Sequence, residues 1–307
     1  MRVAIAGAGS FAKYFAEEFP KAGLEVVILT GSQKYFCDGK PGVIEQRIAD
    51  YQSVPQLVEL LKDCDALVST IASMNRGLAD SQLALVEACK QTPKCKRFIP
   101  AEFCHNSEDY PDPDRVHPYN KMIKDTLKAQ SDLEWTVASI GWVMDYMVSS
   151  TNRYHPDIDG MFPLDIKANT LTIPGSGNGP FALTSVRDVA KAVAALLKSP
   201  AKWRHHTYVQ GEETTWLKVA ESLTSAKKVS DLKIIFEDVE QLEEVVRRKD
   251  PALIAVMAEF KLYTPQGKLR FDQQKVRRDH QELFPNMHFS TILELLEKTE
   301  KNPSAIV

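Results

Sequence analysis

The chain has 307 residues, 44% of them hydrophobic and 26% charged, with a net charge of −3: enough to bury a full core, and too apolar for disorder. That balance argues against a nucleic-acid partner, because the basic groups Lys227-Lys228, Arg247-Arg248-Lys249 and Arg277-Arg278 are short and interleaved with acids, as on solvated helix faces. No stretch approaches the ~20 apolar residues of a membrane helix, and five cysteines without a C-x-x-C pair fit free thiols in a reducing compartment.

The opening run, residues 3–12, is broken by glycines and runs into Lys13, Glu17 and Glu18, so it reads as part of the folded protein and not as a leader. A soluble, cytoplasmic monomer or homodimer is expected.

Along the first half, short apolar runs alternate with helical patterns. VAIA (3–6) precedes a helix with Phe11, Phe15 and Phe19 on one face; EVVILT (25–30) and VIEQRI (43–48) follow. Ser53-Val-Pro-Gln56 has capping-box spacing with proline in the first turn. ALVSTI (66–71), a helix near 77–90, RFIP (97–100), a helix near 119–130 and WTVASI (135–140) complete the series. Six apolar strands alternating with helices predict a parallel sheet covered on both faces, a doubly wound α/β fold of the Rossmann type.

After about residue 150, Pro156, Pro163, Pro174 and the run IPGSGNGP (173–180) mark loops. Ser185-Val-Arg-Asp188 then opens a helix carrying Val189, Val193, Leu196 and Leu197, followed by a strand at HTYVQ (206–210), helices near 215–226, 239–258 and 290–300, and a strand at KIIFE (233–237). The predicted organisation is a nucleotide-binding domain over 1–152, with 185–210 returning to its sheet, and a smaller α+β substrate-binding domain from 153–184 and 211–307.

Gly7-Ala8-Gly9-Ser10-Phe11-Ala12 fills every slot of G-x-G-x-x-G/A. The first glycine suits a tight turn, the second admits a diphosphate to backbone N–H groups, and the small third residue lets helix and strand pack closely. The alternative is a purely structural turn. The position after the second strand, where an NAD site carries Asp or Glu, reads Thr30-Gly31-Ser32-Gln33-Lys34. Hydroxyls and a lysine there favour the 2′-phosphate of NADP(H), although Lys34 also fits an ordinary loop lysine. Asp50 could accept from the adenine amine or cap the next helix. Ser69, Thr70 and Ile71 end the fourth strand, where the nicotinamide ribose belongs.

These residues, with RFIPAEF (97–103), Lys121 ahead of EWTVASIGW, and TIPGSGNGPFALTSVRDVAKAV (172–193), resemble the NmrA-like branch of the short-chain dehydrogenases. The isoflavone reductase and phenylcoumaran benzylic ether reductase group is the nearest type, and the Trp203 and Thr214-Thr215-Trp216 region is similar to fungal members of secondary metabolism. The resemblance implies NADPH and hydride transfer to a small, often aromatic, substrate held between two domains, with redox-coupled cyclisation as a variant. A regulator that binds NADP(H) without turnover is the alternative.

By position, the resemblance makes Lys121 the proton donor or substrate orienter beside the nicotinamide, with partial burial lowering its pKa. His117 and Tyr119 are alternative donors. The Tyr-x-x-x-Lys pair is absent, and Pro100-Ala101-Glu102-Phe103-Cys104 replaces the Pro-Ser-Glu-Phe-Gly common in family reductases. Trp142, Met144, Tyr146 and Met147 line an aromatic pocket or fill the core, and the loop 110–114 borders the entrance or forms a surface turn. No metal-ligand spacing stands out, His205-His206 being adjacent on a strand and pointing apart.

Overall fold

The computed structural model describes residues 1–73, 75–158, 160–225, 231–248 and 252–307. Its first half contains β1 (Arg2–Ala6), α1 (Ser10–Lys21), β2 (Glu25–Thr30), β3 (Val43–Ile48), α2 (Val54–Leu61), β4 (Ala66–Ser69), α3 (Arg76–Gln91), β5 (Arg97–Ile99), α4 (Asn120–Lys128) and β6 (Glu134–Trp135). The six strands form one parallel sheet in the order β3-β2-β1-β4-β5-β6. The order reverses between β1 and β4, which opens a crevice at their carboxyl ends.

The second half supplies β7 (Val137–Ser139), β8 (Trp142–Val143), β9 (Leu164–Asp165), β10 (Thr170–Pro174), β11 (Phe181–Thr184), α5 (Val186–Lys198), β12 (His206–Tyr208), β13 (Glu212–Thr214), α6 (Trp216–Ser225), β14 (Lys233–Glu237), α7 (Val239–Arg248), α8 (Ala252–Leu262), α9 (Gln273–Leu283) and α10 (Ile292–Lys301).

Alternation along the strands sorts the core into two layers. Val3, Ile5, Val26 and Ile28 pack with Tyr14, Phe15 and Phe19 of α1 and Val189 and Val193 of α5. Ala4, Ala6, Val27 and Leu29 pack on the other side with Leu57, Leu85, Ile123 and Leu127 of α2, α3 and α4. Each fully buried large apolar side chain contributes about 1.5–3 kcal/mol, so the double cover holds the sheet rigid beneath the crevice.

WTVASI does not run as one strand. Its pairing switches at Thr136: β6 pairs with β5, while β7 pairs in parallel with β12, which brings the 206–208 segment beside the first half. β3 lies at the edge of the sheet, with Ile44 and Ile48 about half exposed, so it is not covered on both faces as its composition suggested. The run expected as a single helix over 239–258 is divided between α7 and α8; Lys249 and its neighbours 250–251 lie outside the described residues, as do Lys227-Lys228 and the last residue of the helix expected to 226.

Helix α9 had no apolar stripe to announce it. It docks through a single buried apolar residue, Val276, packed with Tyr208 and Phe271, and through fully buried Asp279, whose Oδ2 accepts from the Tyr208 N–H at 2.9 Å. Among the described residues no helix is long and apolar enough to cross a membrane, and all five cysteines are free and buried.

Candidate active site

The glycine-rich turn joins β1 to α1 at the crevice. Gly7 has φ +97°, and a Cβ there would come within 3.0 Å of the Ile71 nitrogen and the Thr70 carbonyl carbon, so β4 presses directly on the turn. Its N–H donates to the Leu29 carbonyl at 3.0 Å and to the Tyr51 hydroxyl at 2.9 Å, and Tyr51 in turn donates to Leu29 at 2.7 Å. Burial pushes the Tyr51 phenol up to about 12, which keeps it a neutral brace. Tyr51 is a site residue the sequence did not reveal.

Gly9 caps α1 without any side-chain hydrogen bond, and a Cβ on it would meet nothing within 4 Å among the described residues. The first N–H groups of α1 are the ones a helix leaves without intrahelical partners, at the positive end of its dipole, and the space beside Gly9 is clear. Ala12 is fully buried against the sheet, as a small third residue should be. The Ser10 hydroxyl donates to the Tyr154 carbonyl at 3.1 Å, and the Phe11 ring stacks on Phe103 at 5.3 Å between centroids. These side chains brace the turn, and the backbone N–H groups are left for an anion. The residues present fit a dinucleotide diphosphate.

At the end of β2, Thr30 is buried and its hydroxyl donates to the Ser32 carbonyl at 2.9 Å, so it shapes the loop. Ser32 is exposed. Lys34 is fastened through its main chain, with N–H to Gln46 Oε1 and carbonyl to Gln46 Nε2, both 2.8 Å, while its ammonium has no partner among the described residues. Asp50 does not cap α2; Ser53 holds that position, and Asp50 Oδ1 accepts from the Gln52 N–H at 2.9 Å within a turn. Ser69 is buried with its hydroxyl unpartnered among the described residues, the Thr70 hydroxyl donates to the carbonyls of Ala6 and Gly7 at 3.1 and 3.3 Å, and Ile71 is half-buried.

Helix α4 corrects the expectation for Lys121. Its buried face is Asn120, Ile123, Lys124 and Leu127, which leaves Lys121 on the outside, 47% exposed and paired with Asp125 at 2.6 Å. Asp125 raises the Lys121 pKa, the opposite of the lowering that burial was expected to cause. The buried lysine is Lys124, whose ammonium donates to Glu102 at 2.8 Å, both side chains under 5% exposed. Ile123, Lys124 and Leu127 stand at i+3, i+4 and i+7 from Asn120, one helix face, and that spacing could have shown this. The pair ties α4 to the loop after β5. Tyr119 sits half-buried at the N-cap of α4 without a side-chain capping bond.

His117 lies deeper. Its Nδ1 is 2.9 Å from the Tyr263 hydroxyl, which donates to Asp114 Oδ2 at 2.5 Å; Asp114 also accepts from the His117 N–H at 2.7 Å and from Lys268 at 3.2 Å. Burial lowers the His117 pKa, and burial with the adjacent His117 lowers His105 to about 3. Burial alone would raise Asp114, but the Tyr263 hydroxyl and His117 hold it below the ordinary carboxylate value. Asp114 therefore belongs to a buried network and not to a plain surface turn.

An aromatic wall connects these parts. From Phe11 it passes to His155, Tyr146, Phe162, Trp142, Phe260 and Tyr263, with successive ring centroids 4.7–6.0 Å apart. Trp142, Met144 and Met147 are core residues, and Tyr146, half-buried, is the member of that group that also lines a cavity of about 110 Å³ with Arg153 and Phe162. Phe103, His155, Phe162 and Phe260 come from four separate segments, a juxtaposition no local pattern encodes.

The profile of the NmrA-like family matches residues 2–296. A protein named oxidoreductase swnR from Arthroderma benhamiae is 38% identical over 309 residues, covering 100% of both chains, and one of the same name from Metarhizium robertsii is 34% identical over the same span. The fold is also that of the NADPH complex of leucoanthocyanidin reductase from Vitis vinifera, at a TM-score of 0.72 and 19% identity, covering 97% of this chain and 99% of that one. Glycine turn, crevice and full-length similarity thus converge, and the chain belongs to the NmrA-like family.

Proposed function

We propose that the chain is an NADPH-dependent reductase that delivers hydride to a C=C, C=N, C=O or benzylic ether group of a small aromatic or alkaloid-like natural product, with cyclisation following reduction as a variant. The observation that carries this reading is the helix N-terminus at Gly9 beside a β2 end that offers Ser32 and Lys34, whose ammonium is unpaired among the described residues, in place of a carboxylate. The full-length relatives named as oxidoreductases support it.

In this reading residues 1–152 and 185–210 hold the nucleotide, while 153–184 and 211–307 face the substrate. The N–H groups at Gly9, Ser10, Phe11 and Ala12 bind the diphosphate, with Gly7 making the turn. Ser32 and Lys34 take the 2′-phosphate on the loop that Thr30 shapes. The outer oxygen of Asp50 meets the adenine amine, and Ser69, Thr70 and Ile71 border the nicotinamide ribose. Bound NADPH supplies hydride from its nicotinamide C4. The aromatic wall from Phe11 to Phe260 orients a flat substrate and excludes water from it.

Hydride addition leaves negative charge on a neighbouring oxygen or nitrogen. Lys121 serves that charge from the rim as a protonated ammonium and not as an acid tuned by burial; Tyr119 stands beside it. His117 is committed to Tyr263 and is not the donor.

Purified protein is mixed with NADPH and a panel of cyclic imines, enones and benzylic ethers, and NADPH absorbance is followed. Turnover with one class, reduced about tenfold or more in Lys121→Met, is the expected result. Tight NADPH binding with no oxidation by any panel member would move the chain to the sensing regulators.

A further inference from the structure

The reductase reading leaves one buried cluster unused. Cys104 and His105 follow Phe103 in the loop after β5, and His117 lies just before α4. One ligand-capable atom from each residue lies within 4.8 Å of the other two, Cys104 and His105 being buried and His117 half-buried. Bond lengths of about 2.0–2.3 Å to zinc place tetrahedral ligand atoms about 3.3–3.6 Å apart, so closing the cluster takes a shift of up to about 1.5 Å.

Two observations besides proximity point to a ligand. His105 Nδ1 is buried with no hydrogen-bond partner among the described residues. The protein leaves such a nitrogen orphaned at a cost unless something binds it. His117, in contrast, has its Nδ1 engaged by Tyr263, itself bound to Asp114. A metal-ligating histidine is commonly oriented in this way, through its second nitrogen and a carboxylate-anchored partner. The arrangement leaves His117 Nε2 free to bind.

We propose that Cys104, His105 and His117 form a site for a divalent transition-metal ion of the zinc class, with a fourth position open to water or another ligand. Imidazole nitrogen and thiolate sulfur are both ligand types that zinc takes, and the same two-nitrogen, one-sulfur trio also suits copper. Binding forms the metal–sulfur bond as the Cys104 thiol releases its proton to solvent, so the loaded site gains one positive charge. Two nearby lysines are already matched by carboxylates, Lys124 with Glu102 at 2.8 Å and Lys268 with Asp114 at 3.2 Å. The ligands come from one adjacent pair and a residue beyond the Pro111–Pro113 loop, which matches no standard ligand spacing and explains why no metal site stands out in the sequence.

Metal-stripped full-length protein is titrated with Co²⁺ and followed by absorption. The expected result is a thiolate-to-cobalt charge-transfer band in the near ultraviolet with strong visible bands, saturating at one ion per chain and bleached by added Zn²⁺. Cys104→Ser removes the charge-transfer band. Cys89→Ser, whose sulfur lies 3.6 Å from that of Cys95 and outside the cluster, retains it. His105→Ala weakens cobalt binding tenfold or more. A wild-type spectrum no different from aqueous cobalt overturns the proposal without recourse to any variant, as does a charge-transfer band that survives Cys104→Ser.

Discussion

Gly9 separates holding the fold from holding the ligand. Its backbone, φ −84° and ψ −160°, suits any L-residue, and an added Cβ meets nothing within 4 Å among the described residues. Gly9→Ala should therefore leave stability unchanged or raise it by about 0.4–1 kcal/mol, by reducing the freedom of the unfolded chain. The same methyl enters the space through which the first N–H groups of α1 reach a diphosphate. Hydrogen bonds to charged groups contribute about 1.5–3 kcal/mol each, so losing one weakens NADPH by roughly 10–150-fold.

Gly7→Ala is the contrasting case. With φ +97° and a Cβ 3.0 Å from the backbone of Thr70 and Ile71, it should lower both melting temperature and affinity. Thermal unfolding and NADPH calorimetry on the two variants read the two effects separately. A Gly9→Ala protein that binds NADPH as wild type does, or that melts well below it, would refute the assignment of this gap to the diphosphate.

Lys34→Ala should weaken NADPH about tenfold or more while leaving NADH unchanged, because the phosphate loses one charge-assisted partner; equal effects on the two nucleotides would disprove the 2′-phosphate role. Burial lowers His155 and His206 from the ordinary 6.5 to about 4. Their neutral forms favour the fold, so this stability is fully present above pH ~6.5 and is lost as pH falls toward ~4. Chemical denaturation at pH 7.5 and 5 should show that fall, reduced in His155→Gln. Gly141 has φ +76°, and a Cβ on it would lie 2.0 Å from the Ala182 carbonyl oxygen. Gly141→Ala should destabilise by more than about 4 kcal/mol, read as loss of a cooperative unfolding transition.

Particular residues mark how far the sequence could be read. The short apolar runs VAIA and EVVILT, each followed by a change of pattern, were sufficient to place β1 and β2, since their side chains are covered by α1 on one face and α2 on the other. The glycine turn was legible for a similar reason: its conformation is set by the missing Cβ of Gly7. The partial burial expected of Lys121 is not found, because family position says nothing about which way a helix faces its neighbour, and a shift of three residues moves a lysine from water to Glu102. α9 was missed because a buried carboxylate holds it, and hydropathy does not register that kind of anchor.

The sequence by itself determined the wound sheet, the crevice at β1 and the absence of a carboxylate where β2 ends, because each is signalled by local periodicity, strand order or the identity of single residues, even though the strands that pair lie tens of residues apart. Only the tertiary structure decided that Tyr51 braces the turn, that Phe11 meets Phe103 and His155, and that Cys104 and His105 face His117. Those encounters join segments separated by loops, and their geometry is set by how whole layers pack, a quantity distributed over many side chains and written at no single position.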